Sequence, residues 1–266
     1  MDNPEGSSTR PTRRTILKAS SGALAGLGGL VAAQPTAAHE RSVHREMGWY
    51  VADNMCDELN NSLCEYKDTI KDYSDDPDND PFYCEDSYPD DVCEFLDTVD
   101  QSIDHYLNTQ HDSGRDLGRA HIEAADEAEA AKSRVDSNDY VEAAIKTGRS
   151  LHFIQDAGTL VHTGRENEQR KDRSIHTEFE DWVDDRWYYY EYEADTESIS
   201  HMDSRDDIQE AVRDLADSTH DALQDQWWDI EDGRSYARST RRAQEDQVEL
   251  AQEYSNGTVH WIWENA

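Results

Sequence analysis

Two histidine–carboxylate pairs, His152/Asp156 and His176/Glu180, lie within one stretch of 29 residues, and the members of each pair are four apart. Four residues is about one helical turn, so each pair shares a helix face and aims two donors at one point. His162 stands between the pairs, just past Gly158, where a helix can end and the chain can turn inward. The pattern therefore asks for two helices that converge across a bend. A single His-x-x-x-Asp pair is commonplace on a solvated helix face. Two pairs with a histidine between them shift the reading towards a metal site, because zinc takes imidazole nitrogen and carboxylate oxygen.

The remaining chain supplies helices to hold such a site. Met47, Tyr50, Val51, Met55, Leu59 and Leu63 form one helical stripe. An Ala- and Glu-rich helix is expected over 112–135, ending near Asn138, which should cap the next. Further helices are expected at about 140–156, 174–189, 205–228 and 235–263. Residues 73–95, rich in Asp and Pro, read as a loop pinned by cysteines. No internal repeat and no run of alternating strands is found. The expected fold class is all-α, a single multi-helix domain over 39–266.

Sixty acidic residues against 25 basic ones give a formal net charge of -35. Such an imbalance can keep a chain unfolded. Here 7 Trp, 13 Tyr and apolar residues at helical spacing can build a core. The better reading is a folded protein with an acidic surface working in high salt, where the Debye length falls to about 3 Å at 1 M. The charge argues against a basic nucleic-acid-binding face, and no Lys/Arg stripe with interleaved aromatics exists. It does not exclude an anionic substrate.

The N-terminus reads as an address. Arg13 and Arg14 in "TRRTILK" precede the Gly- and Ala-rich "ASSGALAGLGGLVAA", the outline of a twin-arginine export signal over 1–38. Thr36 and Ala38 suit a cleavage site that leaves His39 first; a cut after Ala33 is the alternative, and an uncut segment would be an anchor. Export to an oxidising space favours disulfides among Cys56, Cys64, Cys84 and Cys93. Three connectivities are open, and Cys56–Cys64 with Cys84–Cys93 is the local one. Asn60 and Asn256 begin glycosylation sequons.

The string His152-x3-Asp156-x5-His162-x13-His176-x3-Glu180 resembles the ligand string of the secreted bacterial zinc-dependent phospholipases C. Their "LHYLGD…H…HSKYENFV" type of block is mirrored by "LHFIQDAGTLVH…IHTEFEDWV". The wider superfamily includes fungal single-strand-specific zinc nucleases, with a longer gap before the fourth histidine and Asp in the last place. The short gap and Glu180 favour the phospholipase branch. The family also uses its mature N-terminal residue and a nearby histidine, here His39 and His44. It adds an upstream Asp, here Asp90 in "PDDV" with Asp91 behind it, and a histidine like His105 in "DHYLN". "TVHWIWEN" resembles the closing helix. Two departures stand out: His39 replaces a tryptophan, and Thr159-Leu160-Val161 replaces a Gln-Pro type of pair before His162.

The resemblance implies about three zincs. One would be held by Asp90, His105, His152 and Asp156, a second by His162, His176 and Glu180, and a third by His39, His44 and the shared Asp156. Zinc lowers the pKa of bound water towards roughly 7, so no side-chain nucleophile is required, and none is evident. Asp90 could act as general base while remaining a ligand. The implied activity is phospholipase C-type hydrolysis of a phospholipid by a secreted monomer in transient contact with a membrane surface. The alternatives are a single-strand-specific nuclease and a non-catalytic exported protein stabilised by metal. His111, His121, His201, His220 and His260 read as structural or solvated. The run Trp187–Tyr192 and Trp227-Trp228 read as core and helix-end packing. N-terminal sequencing of the exported protein is expected to begin at His39; a start at Gln34 would remove His39 from the terminal-ligand role.

Overall fold

Helical periodicity accounts for nearly all the regular structure. The computed structural model describes residues 41–77, 105, 107–109, 116–163, 178–183, 198–231 and 238–266. All lie in the unit Thr36–Ala266; the other unit, Met1–Pro35, is outside the described residues. The helices are α1 (Arg41–Leu59), α2 (Lys67–Tyr73), α3 (Ala120–Asp136), α4 (Tyr140–Ala157), α5 (Arg205–Glu231) and α6 (Arg238–Trp263). Residues 178–183 are also helical. Single 3-10 turns lie at Ser62–Glu65 and Leu160–His162. None of the described helices is long and apolar enough to cross a membrane.

Several expected boundaries move for local reasons. The first helix stops at Leu59 because Asn60 takes a left-handed conformation (φ 46) and its N–H bonds back to Cys56 O at 2.8 Å. The Asn61 side chain then accepts from Leu63 N and starts the 3-10 turn. Cys56 and Cys64 bridge this turn as a disulfide; Cys84 and Cys93 lie outside the described residues. The α3 helix begins only at Ala120, because Gly118 (φ 99) breaks the chain there. Leu117 and Gly118 instead form β2, an antiparallel two-residue ladder with β1 (Leu107–Asn108). This ladder is the only strand pairing among the described residues, and the fold is all-α as expected. Asn138 does not cap α4: with φ 59 it closes α3, its N–H bonding Val135 O at 2.9 Å, and Asp139 is the N-cap. The α2 helix was not foreseen.

The main core joins α1, α3, α4, α5 and α6. Ala120, Ala124, Ala128 and Ala131 line one face of α3 and let α4 come close, with Ser150 Oγ donating to Ala124 O at 2.8 Å. Trp263 closes the far end. It stacks against Tyr66 and Tyr140, which also meet each other, and its indole N–H donates to Thr147 Oγ1 at 3.1 Å. A second cluster holds Leu160, Val161, Phe179, Val183, Leu223 and Ile230, with Trp227 against it. Trp227 thus packs as expected, whereas Trp228 is 74% exposed, which corrects its assignment to the core. The run Trp187–Tyr192 lies outside the described residues. Of the two sequons, Asn256 is buried and donates to Ser198 O, while Asn60 is exposed.

Two glycines clasp the end of α2. A Cβ on Gly48 of α1 would fall on Ser74, and one on Gly148 of α4 would lie 2.7 Å from Ile70 O and 2.9 Å from Tyr73 C. The close approach leaves the Ser74 carbonyl against α4. Gly148→Ala is expected to destabilise the protein by about 1–3 kcal/mol, because the obstructing atoms are backbone. Equilibrium urea unfolding measures it; an unchanged midpoint would contradict the packing described.

Candidate metal centre

From Ser150 to Ala157 every residue of α4 is buried. A helix buried all round is ordinarily apolar, yet this segment carries His152, Gln155 and Asp156 into the interior. A carboxylate buried without partners would be costly. Asp156 is surrounded instead by four histidines. Its Oδ2 lies 2.7 Å from His105 Nδ1 and 3.1 Å from His152 Nε2. Its Oδ1 lies 3.5 Å from both His44 Nε2 and His162 Nδ1. Beyond it, His162 Nε2 is 2.9 Å from Glu180 Oε1, with both side chains buried.

The histidines come from separate elements. His44 projects from α1, His105 precedes β1, His152 sits on α4 and His162 ends the 3-10 turn. That turn, where the sequence departs from the family block, is pinned by Gln244 of α6. Its buried amide accepts from Leu160 N at 3.1 Å and donates to Gly158 O at 3.0 Å. Phe179 and Val183 pack into the second cluster and so turn Glu180 towards His162.

Three of the rings share one wiring. His152 Nδ1 meets Ser74 O at 2.9 Å, His162 Nδ1 meets His105 O at 3.1 Å, and His44 Nδ1 meets Gln155 Oε1 at 2.6 Å. Each Nδ1–H donated to such an acceptor frees Nε2 for a metal, the usual outer arrangement around a ligating histidine. Ligand atoms of His44, His152 and Asp156 all lie within 4.8 Å of one another. Two ligands on a tetrahedral zinc stand about 3.3 Å apart, close to three of the four separations around Asp156 (3.1, 3.5 and 3.5 Å). Asp156 Oδ1 is buried and accepts no hydrogen bond among the described residues, an acceptor in want of a cation. The residues present therefore fit zinc.

The electrostatics agree. Burial alone would push Asp156 up, but the charges of His152 and His162, with hydrogen bonds from His105 and His152, hold it well below the usual carboxylate range. Burial also opposes a charge on His162, yet Asp156 and Glu180 outweigh it and raise the imidazole to about 9.

Of the residues singled out in the sequence, His44, His105, His152, Asp156, His162 and Glu180 come together. His39, Asp90, its neighbour Asp91 and His176 lie outside the described residues. Gln155 and Gln244 were not anticipated; their amides matter through partners 84 to 111 positions away in the sequence. Among the other histidines, His121 and His220 are buried, and His201 is exposed, on Asp203. Burial holds His121 below the ordinary imidazole range. His111 lies outside the described residues.

No protein-family model matches the chain, and no curated protein does. Solved structures do match. The chain has the alpha-toxin fold. The alpha-toxin of an avian strain of Clostridium perfringens superposes with a TM-score of 0.61 at 16% identity, covering 87% of this chain and 65% of the toxin. The alpha toxin of Clostridium absonum gives 0.55 at 14% identity, covering 86% and 63%. This chain thus spans somewhat less than two thirds of the alpha-toxin chains, and at these identities the likeness is one of fold.

A metal entering beside His162 must displace its proton. In the metal-free protein that proton stabilises the fold: the contribution is full below the unfolded value near 6.5 and is lost as pH rises through about 9. Zinc affinity at this position is expected to climb about tenfold per pH unit up to a plateau near 9. Zinc titration of chelator-treated protein at several pH values tests it; an affinity independent of pH would contradict the assignment.

Proposed function

We propose that this chain is an exported, zinc-dependent phosphodiesterase of phospholipase C type, with about three zincs per chain. The observation that carries this reading is the division of labour on Asp156: one oxygen serves His105 and His152, the other faces His44 and His162. A carboxylate has two oxygens to share, where a neutral imidazole has one lone-pair nitrogen. The fold shared with the Clostridium alpha-toxins is compatible with this reading.

His105, His152, Asp156 and Asp90 would hold one zinc, His44, His39 and Asp156 another, and His162, Glu180 and His176 the third. Bound zinc supplies Lewis acidity, which generates a nucleophile from water near neutral pH and offsets charge building on a phosphoryl group. The protein's share is placement. Asp156, kept ionised by its histidines, fixes the spacing of two ligand groups. Ser74 O and His105 O hold the rings of His152 and His162 in register. The His105 side chain is 13% exposed, against 0–3% for His44, His152, Asp156 and His162, so a substrate phosphate would enter on its side. Asp90 would take the proton from the attacking water. The substrate is a phospholipid or related phosphodiester, met in transient contact with a membrane surface by a monomer exported through the twin-arginine machinery.

Metal analysis of the exported protein is expected to find about three zincs, and chelator to abolish hydrolysis of phosphatidylcholine. His105→Ala and Asp90→Asn should each cost about a thousandfold in kcat, the scale of a Lewis acid worth several kcal/mol, while the helical circular dichroism persists. Absence of zinc overturns the proposal. Cleavage of single-stranded DNA but not of lipid would make the protein a nuclease. Zinc with no hydrolysis of either would make the metals structural.

A further inference from the structure

We propose that Gln155 is a positioning residue that makes His44 a metal ligand, by holding its proton on Nδ1. The proposal rests on the metal reading above. A neutral imidazole carries one N–H, and the nitrogen that carries it cannot bind a metal. His44 therefore ligates through Nε2 only if its proton stays on Nδ1.

The two residues that grip this ring are consecutive. Gln155 Oε1 lies 2.6 Å from His44 Nδ1, and Asp156 Oδ1 lies 3.5 Å from His44 Nε2. His44 and Asp156 are fully buried and Gln155 is 2% exposed, so water does not readily take over the amide's role. The ring of His152, 4.3 Å away centroid to centroid, limits tilting on one side.

His152 and His162 have the same wiring, but their Nδ1 acceptors are backbone carbonyls, which can only accept. Gln155 could do either. Turned over, its amide would donate to Nδ1, move the ring proton to Nε2 and point an N–H at Asp156, leaving no lone pair for a metal. In the structure the oxygen makes the bond, and Gln155 Nε2 makes no hydrogen bond among the described residues. His44 is thus the ring whose competence depends on a replaceable side chain. A carboxylate there could only accept and would fix the same tautomer; an apolar side chain would fix none.

The test compares wild type, Gln155→Glu and Gln155→Leu. Zinc titration of the chelator-treated proteins should show Q155L losing about 10- to 100-fold in affinity for one zinc, as is typical when an outer hydrogen bond to a ligand is removed. The other zincs should bind as in wild type, and Q155E should keep all of them. In the metal-free proteins, 15N spectra of the imidazoles should report a protonated Nδ1 for His44 in wild type and Q155E, and a mixed or Nε2-protonated ring in Q155L. A purely packing role would not move that signature. Wild-type zinc affinity and an unchanged tautomer in Q155L would overturn the proposal. Should Q155L fail to fold, Q155E decides: loss of one zinc or an Nε2-protonated His44 in it overturns the proposal. A wild type without zinc would instead sink the metal reading itself.

Discussion

The charge on Asp156 organises this molecule. It sits in the wholly buried last two turns of α4, where an isolated carboxylate could not remain ionised. It stays ionised because His152 on α4, His162 in the following 3-10 turn and His105 just before β1 surround it with charge and hydrogen bonds. Those histidines are separated by as many as 57 sequence positions (from His105 to His162), so the charge is tolerable only once the helices have assembled. The site and the fold are to that extent one structure. Removing a single histidine leaves an under-compensated buried charge, a larger cost than the pair itself gains.

What could be read in the sequence was what short-range geometry controls. The four-residue spacing of His152 and Asp156 placed both on one face, and the bounds of α4, α5 and α6 followed the apolar period to within a few residues. Failures came where a few backbone angles decided the outcome. Asn138 looked like a helix start and is a helix end, because a left-handed residue after Val135 satisfies the carbonyls α3 leaves open. The seven residues of α2 were too few to show a period. Gln155 was invisible for another reason: its partner lies 111 residues away. The family block has glycine at that place, which could make no such bond.

Positioning here relies on backbone as much as on side chains. Gly48 and Gly148 admit the end of α2 so closely that the Ser74 carbonyl reaches His152. Gln244 spans the turn after α4 with both ends of one amide, giving the divergent Thr159-Leu160-Val161 segment a defined path to His162. A loop can thus depart from the family pattern in sequence and still deliver its ligand, provided its backbone groups are held elsewhere.

The alanine seam between α3 and α4 has a thermal consequence. Heat capacity of unfolding grows with the apolar surface exposed and is reduced by polar surface. Methyl side chains at Ala120, Ala124, Ala128 and Ala131 bury little apolar area per residue, and α6 adds buried Gln244, Gln247, Gln252, Ser255, Asn256 and Thr258. Backbones held close by small side chains and amides make a core with a low apolar area for its length. The stability curve of such a protein is shallow, so cooling and warming change its folding free energy less than they would in a leucine-packed bundle of the same size.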